Sequence, residues 1–245
     1  MTLQLNTLTS KCFILGVAFI LSILTFNACS SDVPLGPDDV QFSASDGTLL
    51  RGHHYGTSDI TVILAHMSDS DQDAWKEFAV RLNGQGYAAF SFNFRGFKPS
   101  KGKKETQEFD GDLEGAIEYL ESQGTKKLFI IGAGMGGTAA IKVAAHRDIN
   151  GIVAISAPFE IDGLSAEEEE VKLVSGAKLF LAAEGDKSAQ HSAGAFYHAS
   201  KPPRLFESFV GSEHGMDLLY GRHAVNVQQR IIEFIDGFAG STELR

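Results

Sequence analysis

The chain has 245 residues, of which 43% are hydrophobic and 26 are glycine. This composition is typical of a globular protein with one α/β domain and excludes a largely disordered chain. The formal net charge of −10 argues against a nucleic-acid partner, because a phosphate-binding surface needs clustered lysine and arginine. A partner is therefore expected to be neutral, small or cationic.

The first 28 residues are predicted to be a bacterial export signal. An apolar run, Cys12 to Phe26, follows Lys11 and ends at Ala28-Cys29, after which the sequence becomes polar. The small Ala28 before Cys29 resembles a lipoprotein signal, in which Cys29 is lipidated and becomes the new N-terminus. Two alternatives stay open: ordinary secretory cleavage nearby, and a retained anchor, although a spanning helix needs about 20 apolar residues.

This interpretation places the protein in the cell envelope, held to a membrane by its N-terminal lipid, with secretion as the alternative. Residues 29–39 are predicted to be a tether that contains Pro34 and Pro37. Residues 40–240 are predicted to form the folded domain. Both cysteines, Cys12 and Cys29, precede the domain, so no disulfide is available to it.

From residue 40 onward, strand and helix patterns alternate. Val40 to Ser45 and Leu49 to Tyr55 flank an Asp46-Gly47 turn, which predicts an opening β-hairpin. Ile60 to His66 is an unbroken apolar run, typical of a strand buried on both faces of a parallel sheet. Further strands are predicted at 87–94, 127–131, 152–156, 178–183 and 205–210, with helical patterns around 75–82, 109–120, 139–145, 193–197 and 227–238. The alternation predicts a doubly wound, mostly parallel sheet with helices on both faces.

An apolar strand followed by a glycine-rich turn lies near the middle of the chain, where Phe129 to Gly137 reads Phe-Ile-Ile-Gly-Ala-Gly-Met-Gly-Gly. It resembles the nucleophile elbow of the α/β-hydrolase family, in which a strand ends in G-x-S-x-G. Gly132 and Gly136 occupy the glycine positions, but Gly134 stands in the place of the nucleophilic serine. Because the elbow imposes a positive φ, glycine is expected to preserve the turn and to eliminate the covalent step.

The resemblance implies where the other members of a catalytic site lie. The triad of the family runs in the order nucleophile, acid, histidine along the chain. Gly134, Asp186 in Ala-Glu-Gly-Asp and His214 in Ser-Glu-His-Gly follow this order. The branch resembled is that of the dienelactone hydrolases and small serine esterases. The segment between Pro158 and Gly176 is too short for a large lid.

In that branch two backbone N–H groups form the oxyanion hole, which corresponds here to Met135 with Ser68 or Met67. Backbone donors do not depend on the side chain, so the hole is expected to persist. The resemblance implies a small ester-like ligand and no cofactor. Histidines 53 and 54, and histidines 191 and 198, do not have convincing spacing for a metal site.

Several interpretations of Gly134 stay open. The leading one is a pseudoenzyme of the carboxylic ester hydrolase lineage, acting as a binding or scaffold protein. The alternative is a working hydrolase of small esters that uses Asp186 and His214 on water or on a displaced serine, the candidates being Ser68, Ser70, Ser100 and Ser156. A third is a strain-specific or engineered change in an active enzyme. A dinucleotide-binding loop is disfavoured, because its G-x-G-x-x-G belongs in the first strand-to-helix turn.

A basic run follows the strand that ends at Phe94. Arg95 precedes four lysines, at 98, 101, 103 and 104. Such a run is most often a solvated loop, but these cations could also attract an anionic ligand towards the rim of the site.

Overall fold

The computed structural model describes residues 35–240. The predicted signal and the lipidation site at Cys29 lie outside the described residues. Within 35–240 there is no helix that is both long and apolar enough to cross a membrane.

An eight-stranded sheet forms the centre of the domain. Its strands are β1 (Asp39–Ser43), β2 (Leu49–Tyr55), β3 (Ile60–Ala65), β4 (Ala88–Asn93), β5 (Lys127–Ala133), β6 (Gly151–Ile155), β9 (Ala177–Ala183) and β10 (Arg204–Phe209), while β7 (Glu160–Ile161) and β8 (Leu164–Ser165) form a separate hairpin. The strand order in the sheet is β1-β2-β4-β3-β5-β6-β9-β10. β2 pairs antiparallel with β1 and β4, and the remaining pairs are parallel. The predicted doubly wound, mostly parallel sheet is confirmed.

Helices cover both faces of this sheet. They are α1 (Lys76–Gly84), α2 (Phe109–Ser122), α3 (Met135–Ala144), α4 (Glu168–Val171), α5 (Lys187–Ala199), α6 (Met216–Tyr220) and α7 (Ala224–Ala239). Strand β3 shows the two layers, since Ile63 and Ala65 belong to the core shared with α2, α3 and α5. Val62 and Leu64, on the opposite face, belong to the core shared with α1, α6 and α7. Alternate residues of one buried strand therefore face two separate helix layers.

The opening hairpin forms as predicted, but with a longer loop. Strand β1 ends at Ser43, and the Ala44 and Gly47 N–H groups donate to the carbonyl oxygens of Thr48 (2.8 Å) and Ala44 (2.9 Å). Gly47 has φ of 87°, which suits glycine. The loop therefore spans 44–48 rather than the two residues Asp46-Gly47.

The connection between β6 and β9 is short, and this segment forms no large lid. It contains a small hairpin of β7 (Glu160–Ile161) and β8 (Leu164–Ser165), followed by the single turn of α4. The short connection leaves one edge of the sheet open, at the carboxyl ends of β3, β5, β9 and β10. Ligands bind at this edge in folds of this class.

Candidate active site

The turn after β5 has the backbone geometry of a nucleophile elbow. Gly134 has φ of 51° and ψ of −120° and is the N-cap of α3. Its N–H donates to the carbonyl oxygen of Ile155 on the neighbouring β6, at 2.9 Å. A residue with a Cβ atom would be strained in this conformation, whereas glycine is not.

Two neighbouring glycines allow α3 to approach the sheet. A Cβ atom on Gly132 would lie 2.2 Å from the carbonyl oxygen of Gly136, and one on Gly136 would lie 2.3 Å from that of Ala65. Both distances are far shorter than a van der Waals contact, so only glycine fits at either position. The sharp strand-to-helix turn therefore depends on Gly132 and Gly136 and is independent of a hydroxyl at position 134.

Asp186 and His214 lie together at the same edge of the sheet. His214 Nδ1 lies 2.5 Å from Asp186 Oδ2. Asp186 precedes α5 and its other oxygen accepts the Ala189 N–H at 3.3 Å, so the carboxylate is held at both oxygens. A carboxylate can only accept a hydrogen bond, so Nδ1 donates, and in the neutral form of the ring Nε2 is the unprotonated nitrogen.

The free nitrogen of His214 faces the turn at Gly134. A Cβ atom built on Gly134 would lie 3.9 Å from His214 Nε2. A serine hydroxyl at this position could come within hydrogen-bonding reach of the imidazole. The structure therefore brings Gly134, Asp186 and His214 together, and the atom that is missing from a triad arrangement is the serine oxygen.

The backbone groups expected to form an oxyanion hole border the same point. Met135 is the first residue of α3, so its N–H has no acceptor within the helix and lies at the positive end of the helix dipole. On the other side, the chain after β3 bends so that the Ser70 N–H donates to the Met67 carbonyl oxygen at 3.3 Å. Met67 Cα would lie 4.0 Å from a Cβ atom on Gly134. The Met67-Ser68 backbone therefore runs beside the vacant nucleophile position.

His66 fixes this backbone and is not available as an acid or base. It is fully buried, its Nδ1 lies 2.8 Å from the Met67 carbonyl oxygen, and its Nε2 lies 3.2 Å from the Phe94 N–H nitrogen. Nδ1 therefore donates and Nε2 accepts. Burial lowers the pKa of His66 to about 4, so the ring is neutral at neutral pH. The ring joins the ends of β3 and β4.

An open cleft of about 520 Å³ adjoins the Met67-Ser68 side of the site. Its walls are formed by Ser68, Asp69, Ser70, Asp71, Ala74, Phe97 and Lys98. Lys104 lies over the Phe97 ring, with Nζ 4.7 Å from the ring centroid. A second pocket, of about 370 Å³, lies at the opposite end of the strands near His54 and Thr61 and is separate from this site.

Arg95 does not belong to a basic rim. It is 3% exposed, and its guanidinium donates to Asp112 at 2.8 Å and to Asp46 at 2.8 Å. Asp112 is fully buried and also accepts the Arg95 N–H at 2.7 Å. The hydrogen bonds that Asp46 accepts from the Arg95 guanidinium and from the Thr48 N–H lower the pKa of Asp46 to about 2. Arg95 is therefore a structural cation that joins the opening hairpin to α2.

Two of the four serines considered as displaced nucleophiles are buried. Ser100 is 5% exposed and donates to the Asn93 carbonyl oxygen at 2.6 Å. Ser156 is fully buried and has φ of 51°, a strained conformation for a residue with a side chain. Ser68 and Ser70 are partly exposed on the wall of the cleft. Within 35–240, no three His, Cys, Asp or Glu residues form a group that could hold a metal ion.

The sequence model of the family described as serine aminopeptidase S33 matches residues 56–192. The chain belongs to this α/β-hydrolase family. The matched segment includes Gly134 and Asp186 and ends before His214. Family membership agrees with the α/β-hydrolase resemblance seen in the sequence.

Sequence similarity to two relatives covers more than half of the chain. The uncharacterized protein YfhR of Escherichia coli K12 is 24% identical over 82% of this chain and 81% of its own length. The quorum-quenching protein AidA of Acinetobacter baumannii is 27% identical over 56% of this chain and 48% of its own length.

Two solved structures share the fold at low sequence identity. An esterase of Pyrococcus furiosus superposes with a TM-score of 0.70 at 20% identity, covering 82% of this chain and 91% of the esterase. A monoacylglycerol lipase of Paleococcus ferrophilus gives 0.67 at 17% identity, covering 77% and 99%. At these identities the likeness establishes the α/β-hydrolase fold.

Two residues at the end of β3 shape the site through contacts that the sequence does not indicate. The sequence places His66 at the end of a strand but does not indicate its two backbone hydrogen bonds. The sequence suggests a role only for the Met67 backbone N–H, whereas its side chain lies beside the turns at both Gly134 and Gly215. The contact between Met67 and Met216 joins residues 149 positions apart, and no local pattern predicts such a contact.

Proposed function

We propose that this protein is an α/β-hydrolase-fold lipoprotein of the cell envelope that binds a small ester-like ligand without covalent serine catalysis. The observation that carries the proposal is the conformation of Gly134. It has the φ and ψ of an elbow and faces His214 Nε2, but it has no hydroxyl. Loss of a triad nucleophile reduces turnover by about 10⁶.

The remaining groups form a binding site. Asp186 holds His214, whose side chain is 48% exposed, so the Nε2 atom is available to a ligand. The Met135 N–H and the Met67-Ser68 backbone can donate to a carbonyl oxygen of an ester. The adjoining cleft of about 520 Å³ is large enough for a small acyl or alcohol group.

Ester turnover by the full chain, purified in detergent, tests the catalytic part of the proposal. Short-chain nitrophenyl esters are offered to the unmodified protein and to His214→Ala. We expect equal rates that do not exceed the rate with a denatured sample. A rate for the unmodified protein that is lost in His214→Ala would overturn the proposal. Protection of the fold by a non-hydrolysable ester analogue, measured as a rise in Tm, tests the binding part.

Lipid anchorage is the part of the proposal that rests on the N-terminal sequence. Cys29→Ser is expected to abolish incorporation of labelled palmitate and to move the protein from the membrane fraction to the soluble fraction. Cys12→Ser is the matched control, because it changes the other cysteine and lies before the proposed cleavage site. Equal labelling of the Cys29→Ser and Cys12→Ser proteins would contradict lipidation at Cys29.

A second candidate function is hydrolysis with water as the nucleophile, favoured by the intact Asp186–His214 pair. His214 Nε2 could remove a proton from water while the oxyanion donors stabilise the developing charge. Such activity would depend on His214 and would leave no covalent adduct with a fluorophosphonate. A displaced serine would instead give an adduct. The dependence of turnover on His214 separates an active enzyme from the leading proposal, and labelling by the fluorophosphonate separates a displaced serine from water as the nucleophile.

A further inference from the structure

We propose that Met67 is a second determinant of the silenced site: its side chain occupies the room that a nucleophile at position 134 needs. This inference rests on the proposed function, because it concerns the same vacant position. It predicts that returning a serine to position 134 is not enough to restore covalent chemistry. The methionine must be shortened as well.

The contacts around Gly134 carry the first step. The three atoms nearest to a Cβ atom on Gly134 are Met67 Cβ at 3.2 Å, His214 Nε2 at 3.9 Å and Met67 Cα at 4.0 Å. Carbon atoms pack with optimal separations of about 3.5 to 4.0 Å. A side chain at position 134 therefore fits against His214 but is crowded by Met67, which would have to move away by a few tenths of an ångström.

The surroundings of Met67 oppose that movement. Its Sδ and Cε lie 2.6 Å and 3.0 Å from the position that a Cβ atom on Gly215 would occupy, so the thioether fills the space beside that glycine. Sδ also accepts the Met216 N–H at 3.4 Å, and the residue is only 9% exposed. The Met67 carbonyl oxygen is held by His66 Nδ1 at 2.8 Å. The side chain is thus confined between two turns, and the backbone is fixed at its base.

The two turns have almost the same conformation. Gly134 has φ of 51° and ψ of −120°, and Gly215 has φ of 53° and ψ of −116°. Gly215 directly follows His214. A displacement of Met67 would also move its thioether, which lies against the turn at Gly215 beside the imidazole. An added hydroxyl would therefore be strained, misdirected relative to Nε2, or both.

The test compares covalent labelling of Gly134→Ser with that of Gly134→Ser/Met67→Gly in the full chain, using diethyl nitrophenyl phosphate. The introduced hydroxyl oxygen bonds to phosphorus, the phosphorus–nitrophenolate bond breaks, and His214 Nε2 takes the hydroxyl proton. Mass spectrometry locates the adduct, and nitrophenolate release gives the rate. We expect the double variant to react at least about tenfold faster than the single variant.

Met216→Ala provides the matched control, because Met216 is also 9% exposed and lies beside the same loop. Its side chain is not among the three atoms nearest to position 134. Gly134→Ser/Met216→Ala should react no faster than Gly134→Ser. A further His214→Ala change in the Met67 double variant should abolish its labelling, which ties the gain to the imidazole and not to general loosening of the fold.

Equal labelling of the single and double variants, whether fast or absent in both, would overturn the role of Met67. So would an equal gain from Met216→Ala. Gly134→Ser/Met67→Ala keeps Cβ but removes the confined thioether; it is expected to give an intermediate rate and serves if the glycine variant fails to fold. Failure of the proposed function appears separately, as His214-dependent turnover by the unmodified protein, which has no hydroxyl at position 134.

Discussion

His214 Nδ1 lies 2.5 Å from Asp186 Oδ2, although 28 residues separate them in the sequence. The imidazole is 48% exposed and the carboxylate 13%, so the acid is the more enclosed of the two partners. The residue at the nucleophile position beside this pair is glycine. The pair fixes the orientation of the imidazole beside Gly134 and the tautomer of its neutral form.

The Asp186–His214 hydrogen bond predicts an Nδ1-protonated tautomer for neutral His214. Asp186→Ala should remove this preference, and it should reduce the free energy of unfolding by about 1 kcal/mol because the carboxylate also caps α5. The ¹⁵N chemical shifts of the imidazole report the tautomer directly. Glu184→Ala is the control, since Glu184 is an exposed carboxylate at the same strand end. An equal loss of preference in Glu184→Ala would contradict the assignment.

The elbow and its sheet could be predicted from sequence because their signals are local. Phe129 to Ile131 form a buried strand, and Gly132 and Gly136 stand where a Cβ atom would clash with backbone. The order of Gly134, Asp186 and His214 then followed from the resemblance to α/β-hydrolases. These features depend on residue type and chain order, and both are visible in one sequence.

Other features of the site could not be predicted because they depend on tertiary contacts. The confinement of Met67 requires knowing that the turn at Gly215 lies against it. Arg95 belonged to a basic run that suggested a ligand-facing rim, but Asp112 and Asp46 converge on it from two other elements. The run gave no sign of these partners, because they lie 17 and 49 residues away.

Burial of His66 predicts a loss of stability in mild acid. Its pKa is lowered to about 4 in the folded chain, against about 6.5 when unfolded. Between these values the unfolded chain binds a proton that the folded chain does not, so stability falls as the pH falls. From pH 7.5 to pH 5 this loss should be about 2 kcal/mol.

Urea unfolding of the protein and of His66→Gln at several pH values measures this contribution. The variant should be less stable at pH 7.5, because it cannot reproduce both backbone hydrogen bonds, but should lack the acid-dependent loss assigned to His66. His146→Gln serves as the comparison, since His146 is 53% exposed and pairs with Glu114 at the surface. If His66→Gln loses as much stability in acid as the unmodified protein, the assignment of a neutral, buried His66 is wrong.

Lys178 is a buried cation whose removal should stabilise the fold. It is fully buried in β9, and its Nζ donates to the Val174 carbonyl oxygen at 2.9 Å. Burial, with the nearby charges of Arg204 and Lys201, lowers the pKa of Lys178 to about 8. At pH 7 the amine is charged in both states, so the cost of burying the charge is fully present.

Lys178→Met should therefore raise the free energy of unfolding at pH 7 by about 1 to 2 kcal/mol, allowing for the lost hydrogen bond. Between pH 8 and 10.5 the unfolded chain binds more protons, so the unmodified protein gains stability as the pH rises. At pH 10 the difference in free energy of unfolding between Lys178→Met and the unmodified protein should be about 2 kcal/mol smaller than at pH 7. Lys126→Met, at a lysine whose side chain is 68% exposed, should show neither effect in parallel urea titrations. A constant difference across this range would contradict the lowered pKa.

The buried Arg95–Asp112 pair predicts strongly non-additive substitutions. Arg95→Met leaves a fully buried carboxylate without its countercharge and should cost about 3 to 5 kcal/mol. Arg95→Met/Asp112→Asn removes both charges, and the amide oxygen at position 112 can still accept the backbone N–H of residue 95. The double variant should therefore lose less free energy of unfolding than Arg95→Met alone. Urea unfolding of the single and double variants measures the coupling. A double variant whose loss equals the sum of the two single losses would show that the charges do not interact.

A surface ion pair provides the control. Arg147→Met, at an exposed pair with Glu121, should be nearly additive with Glu121→Gln, because surface ion pairs contribute little.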